Sequence, residues 1–160
     1  MKPRTATVWL VSLAATVGGC AAPGPERVLV RATEVVDQTI IERILRRDPI
    51  PPDKPVHRSA LLEGNEFSGY VYQIADRQPR HLHQHHDLTF VVYRGRGQIF
   101  IDDRRRHMAP GQFYHVPRGV PHYCVNTGSD PLVGIVLYSP ALNGEDTVEV
   151  PRGAKSYERE

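Results

Sequence analysis

The sequence predicts an all-β protein with a short N-terminal helix or extension, and three observations point that way. From Val56 onward, short β-rich runs of about six to nine residues alternate with turn signals, the pattern of a sandwich or closed barrel. The 14 prolines and 13 glycines are scattered rather than periodic, which suits a turn-rich chain. Histidines concentrate in two separated runs, His81-Leu82-His83-Gln84-His85-His86-Asp87 and the Gly/Pro-punctuated stretch from Gly111 to His122. Neutral imidazole is the commonest protein metal ligand, and a divalent ion needs several donors converging from different segments.

The first 19 residues read as a targeting segment rather than as part of the fold. Lys2 and Arg4 form a basic start, and Thr5 to Gly19 carries no charge. That apolar run is shorter than the roughly 20 residues a membrane-spanning helix needs. It ends Val17-Gly18-Gly19-Cys20, small residues directly before a cysteine, which resembles the lipobox of bacterial lipoproteins. The resemblance implies cleavage before Cys20, lipidation of Cys20, and a membrane contact through that anchor. Ala21 and Ala22 follow, without the aspartate that retains such proteins in the inner membrane. The expected location is therefore the cell envelope, at the outer membrane facing the periplasm. With Cys20 lipidated, Cys124 remains as a lone thiol.

Residues 20–55 form the tether and an N-terminal extension. Within it, Val36, Ile40, Ile41, Ile44 and Leu45 make a helical stripe with basic residues at its end, which predicts a short helix over 35–47. The next eight residues, Asp48 to Lys54 and Pro55, contain four prolines and can continue neither helix nor strand. The barrel is expected over 56–140, with strands near 57–63, 67–75, 88–94, 97–102, 112–116, 121–127 and 132–138. Arg104-Arg105-Arg106 reads as a solvated turn after Asp102-Asp103. Residues 141–160 read as a polar C-terminal extension and loose tail.

Gly111, Pro117, Gly119, His122 and Asn126 occupy every fixed position of G-x5-P-x-G-x2-H-x3-N, the second motif of the cupins. His81-Leu82-His83 and Gly95 match the first motif, G-x5-H-x-H-x3-4-E-x6-G, in part. Ala75 stands at its opening glycine, and Leu88 stands where a carboxylate ligand is usual. The chain thus resembles a small single-domain cupin. The resemblance implies a jelly-roll barrel with a metal in its mouth, His81, His83 and His122 as ligands, and a homodimer through edge strands as a partner. The ion could be Fe, Mn, Ni, Cu or Zn.

Three readings of the remaining coordination stay open. One is a plain three-histidine site with positions left for water or substrate. Another recruits His86, two residues before Leu88, as a fourth ligand. The third is a barrel without a physiological metal, in which Leu88 marks an apolar cavity floor. Phe90, Val92 and Phe100 alternate as inward residues, and Cys124 shares the strand parity of His122. Together with Leu88 these are the pocket candidates. Asn126 is expected to pin a turn.

Removing residues 1–19 takes two of the 20 basic residues and leaves 18 against 18 acidic ones, so the charge offers no case for nucleic acid. A metal-dependent oxygenase or isomerase acting on a small molecule is one expectation. A non-catalytic lipoprotein that captures a small molecule or a metal is the other.

Overall fold

The computed structural model describes residues 36–144 and 146–151. The expected signal segment, Cys20 and the tether up to residue 35 lie outside the described residues, as does the tail beyond residue 151.

Helix α1 spans Gln38–Arg47. Asp37 caps it, its side chain accepting from the Ile40 N–H at 3.1 Å, and Arg46 and Arg47 sit against the negative end of the helix dipole. Ile41, Ile44 and Leu45 bury one face against Leu61, Val71 and Val133. Each such side chain contributes about 1.5–3 kcal/mol on leaving water. The proline segment then brings the chain back to the barrel. Asp48 fastens this return, accepting from Ser59 Oγ at 2.7 Å and lying 2.8 Å from His57 Nε2, while Gln73 bonds its carbonyl.

Ten strands follow: β1 Val56–Glu63, β2 Ser68–Ile74, β3 His81–His83, β4 Asp87–Arg94, β5 Gly97–Ile101, β6 Arg104–Met108, β7 Phe113–Val116, β8 His122–Asn126, β9 Leu132–Ser139 and β10 Thr147–Glu149. They form two five-stranded antiparallel sheets, ordered β1-β2-β9-β4-β7 and β10-β3-β8-β5-β6. The core between them includes Ile74, Leu88, Phe90, Val92, Ile99, Met108, Val116, Cys124, Leu132 and Val136. Helix α1 covers the outer face of the first sheet, so β2 and β9 are buried on both sides. That is why β9 is a nearly continuous apolar run and not an alternating one.

Gly134 is required by this packing. A Cβ there would lie 2.2 Å from the Phe90 ring, so only glycine lets β9 accept that aromatic. Gly111, with φ +83° and open space around it, is needed instead for its left-handed backbone in the turn before β7.

The seven expected strands are all present, with ends shifted by one residue or so, and the helix starts at residue 38. Strands β3, β6 and β10 were not anticipated. Arg104-Arg105-Arg106 is therefore corrected from a turn to the start of β6. Asp102 and Asp103, at φ 48° and 62°, make a two-residue hairpin turn, and the arginines run exposed along the sheet edge. Charge on an edge strand discourages pairing with another chain. Phe100 is also corrected. Strand β5 turns Gly97 and Ile99 inward, leaving Phe100 partly exposed and stacked on Tyr123, with ring centroids 4.5 Å apart and planes 4° from parallel.

Candidate metal centre

Two strands of the second sheet bring three imidazoles together. His81 is the direct cross-strand partner of His122, and His83 lies two residues further along β3 on the same face. Gly119, at φ +77°, shapes the turn that leads into β8, and its N–H donates to the His83 carbonyl at 2.7 Å. The two histidine-bearing segments are thereby tied to each other by backbone. Ring centroids lie 4.4 Å apart for His81 and His122, 5.2 Å for His81 and His83, and 5.3 Å for His83 and His122. One nitrogen from each ring lies within 4.8 Å of the other two, and all three residues are buried.

Hydrogen bonds orient two of the rings. His81 Nδ1 is 2.7 Å from the Pro79 carbonyl, and His122 Nδ1 is 3.0 Å from the Val120 carbonyl. A carbonyl can only accept, so each Nδ1 carries the proton and each Nε2 keeps a lone pair. Backbone support of this kind is common behind metal-bound imidazoles. His83 differs: neither of its ring nitrogens has a hydrogen-bond partner, though both are buried. Leaving buried polar atoms unmet costs about 1–3 kcal/mol each, so such an orphan asks for a ligand.

Burial depresses all three pKa values. His83 is brought down to about 4, first by desolvation and then by the neighbouring His81. His122 lies well below its ordinary value from the same two causes, and desolvation lowers His81. The rings are therefore neutral at pH 7, the form that binds metal. Metal–nitrogen bonds of about 2.1 Å would place tetrahedrally arranged nitrogens about 3.4 Å apart, a modest contraction of this cluster. The residues present fit a divalent ion.

His86 does not join this group. Its ring turns to Asp146, with Nδ1 2.5 Å from Oδ2, and both side chains are buried. Asp146 also accepts from the backbone N–H groups of Gln84 and His85. Burial by itself would raise the Asp146 carboxyl, but the His86 and His85 hydrogen bonds overcome it and hold the pKa below the usual value. The expectation of His86 as a fourth ligand rested on strand parity with Leu88. Strand β4 begins only at Asp87, so that parity does not extend to His86.

A cavity of about 270 Å3 opens beside the cluster between β1 and β10, the first strands of the two sheets. Its lining includes Arg58, Tyr72, Gln78, His81, His83 and Glu149. Leu88, Phe90, Val92 and Cys124 do not line it; they pack in the core between the sheets. Desolvation pushes the Cys124 thiol up to about 12, so it is inert filling. Tyr138 backs the site: its hydroxyl is 2.8 Å from that of Tyr72, and its ring stands edge-on to His83 at 5.1 Å. Asn126 pins its turn, donating to the carbonyls of Ala75 and Asp130 and accepting from the Gly128 N–H. The sequence reading missed Arg58, Tyr72, Tyr138, Asp146 and Glu149. Alternation along β1 and β2 was the one signal for the first two, and nothing local marked the others.

Two facing antiparallel sheets with a buried histidine triplet at one end define a small histidine-bearing β-barrel. Residues 70–138 match the cupin domain family, and the fold is that of a cupin barrel. An uncharacterized protein of Aquifex aeolicus is 31% identical over 90 residues, covering 56% of this chain and 74% of the relative. A glucose-6-phosphate isomerase of Thermococcus gammatolerans is 26% identical over 142 residues, 78% of this chain and 75% of that protein. Among solved structures, a Klebsiella pneumoniae protein with a double-stranded β-helix domain superposes with a TM-score of 0.60 at 20% identity. That match spans 74% of this chain and 100% of the Klebsiella chain.

Proposed function

We propose that this chain is an exported, lipid-anchored cupin that binds a divalent metal through His81, His83 and His122. A metal held there would serve an isomerase- or oxygenase-type reaction on a small molecule admitted through the cavity. The observation that carries this reading is His83, buried among two other histidines with no hydrogen-bond partner for either ring nitrogen. A bound metal would supply Lewis acidity and open coordination positions. The chain's own part is to hold three neutral imidazoles in place and to keep Tyr138 and the core packed behind them. The name of the Thermococcus relative favours isomerisation over oxygenation. The lipobox-like Val17-Gly18-Gly19-Cys20 supports export and anchoring at the cell envelope.

Elemental analysis of tag-free protein tests the metal site. About one equivalent of metal in the wild type and little in His83→Ala is the expected result. A metal-free wild type that stays metal-free in the presence of Fe, Mn, Ni, Cu and Zn would refute it. Leu88 favours a second reading, a non-catalytic lipoprotein that captures a metal or small molecule. That position usually carries a carboxylate, and here it is an apolar core residue. Turnover of a sugar phosphate or other small substrate by the metal-loaded protein would decide for the enzyme.

A further inference from the structure

We infer that the cavity is an acid-binding site, in which Arg58 holds the carboxylate or phosphate group of a small hydroxylated ligand. This rests on the cavity serving the histidine cluster as its ligand site. The register places Arg58 there. It lies directly across from Tyr72 in the β1–β2 pairing, and Tyr72 faces the core side of the sheet. Arg58 therefore points toward the space between the sheets, at their open edge, where it lines the same cavity as His81 and His83. Among the described residues it is the one lysine or arginine in that lining.

Its neighbours leave the charge available. The guanidinium carbon stands 5.3 Å from the centre of the Tyr70 ring, and Tyr72 is close enough to share a hydrogen bond with it. Among the described residues, no carboxylate lies within ion-pair distance of Arg58. A planar guanidinium offers paired N–H donors that match a carboxylate or phosphate edge. Glu149 stands on the other side. It is the cross-strand partner of His81 on β10 and also lines the cavity. An acidic group is thus favoured at the Arg58 side and repelled from the Glu149 side, which gives the ligand one orientation. Gln78 and Thr147 add neutral polar groups to the lining. The volume, just below the roughly 300–1,000 Å3 range of ligand pockets, limits the occupant to a compact molecule.

Three probes of similar size separate the possibilities: glycerate, glycerol 3-phosphate and glycerol. Each is titrated calorimetrically into metal-treated wild type, Arg58→Gln and Arg58→Lys, with metal content and circular dichroism measured on every sample. At least one acid should bind the wild type ten times or more tightly than glycerol. The tighter acid identifies the headgroup as carboxylate or phosphate. Arg58→Gln should abolish that preference at unchanged metal content, and Arg58→Lys should retain part of it. Equal affinity for acids and glycerol, no binding of any probe, or an unchanged preference in folded Arg58→Gln would overturn the inference. An Arg58-dependent preference in protein that takes up no metal would sink the metal reading and leave the acid site standing.

Discussion

Asp146 Oδ2 lies 2.5 Å from His86 Nδ1, across 60 residues of sequence. The same carboxylate gathers the N–H groups of Gln84 and His85 and stands 3.9 Å from His83 Nδ1. It thereby clamps the connection between β3 and β4 immediately after the second histidine of H-x-H. Asp146→Ala should remove three charge-assisted bonds and leave a buried imidazole unpaired. The expected loss is about 2–4 kcal/mol of unfolding free energy, accompanied by weaker metal binding. Urea unfolding and a metal titration check both. An unchanged unfolding midpoint would mean that the clamp contributes nothing to the fold.

The histidine triplet makes metal binding a stability term. Metal bound to the native state alone raises stability by about 2.7 kcal/mol at a free concentration 100 times Kd. The wild-type melting temperature should rise on adding the preferred ion and fall on chelation. His122→Ala should respond to neither, because its ring is one of only three converging donors among the described residues.

Acid should destabilise the metal-free protein before it protonates the folded site. The native His83 pKa is about 4, against 6.5 for an unconstrained ring, so between these values the unfolded chain binds the proton and the folded chain does not. Stability is fully present above about pH 6.5 and declines as the pH falls toward 4. His83 alone contributes about 3 kcal/mol to that decline. His81 and His122, lowered in the same direction, steepen it. Asp146, whose pKa is held down, adds a further loss at still lower pH. Chemical unfolding of metal-free protein from pH 7.5 to 4 measures the slope, and His83→Gln should flatten it.

Gly134→Ala tests the packing that closes the barrel. The added methyl would meet the Phe90 ring at 2.2 Å and the Val91 carbonyl at 3.0 Å. Overpacking of this kind costs about 1–3 kcal/mol. Gly134→Ala combined with Phe90→Leu should recover part of the loss, which thermal unfolding of both variants would show.

Local sequence was enough for the all-β class, the short helix, seven strands and the histidines of the candidate centre. Those features depend on short-range physics: alternation of side chains, turn residues that demand a particular backbone, and fixed spacing around Gly111, Pro117, Gly119 and His122. Tertiary structure decided the rest. Ile99, Phe100 and Ile101 are all apolar, so alternation shows two faces without saying which is inside, and only pairing with β8 turned Phe100 outward. His86 precedes its strand, and its orientation was settled by Asp146, a residue from another strand connection. Arg58, Tyr72 and Glu149 meet the histidines because antiparallel register carries β1, β2 and β10 to one open edge. Pairing between strands far apart in the chain leaves no periodic mark within either one. The imidazoles could therefore be found by reading along the chain, and the pocket that serves them only by folding it.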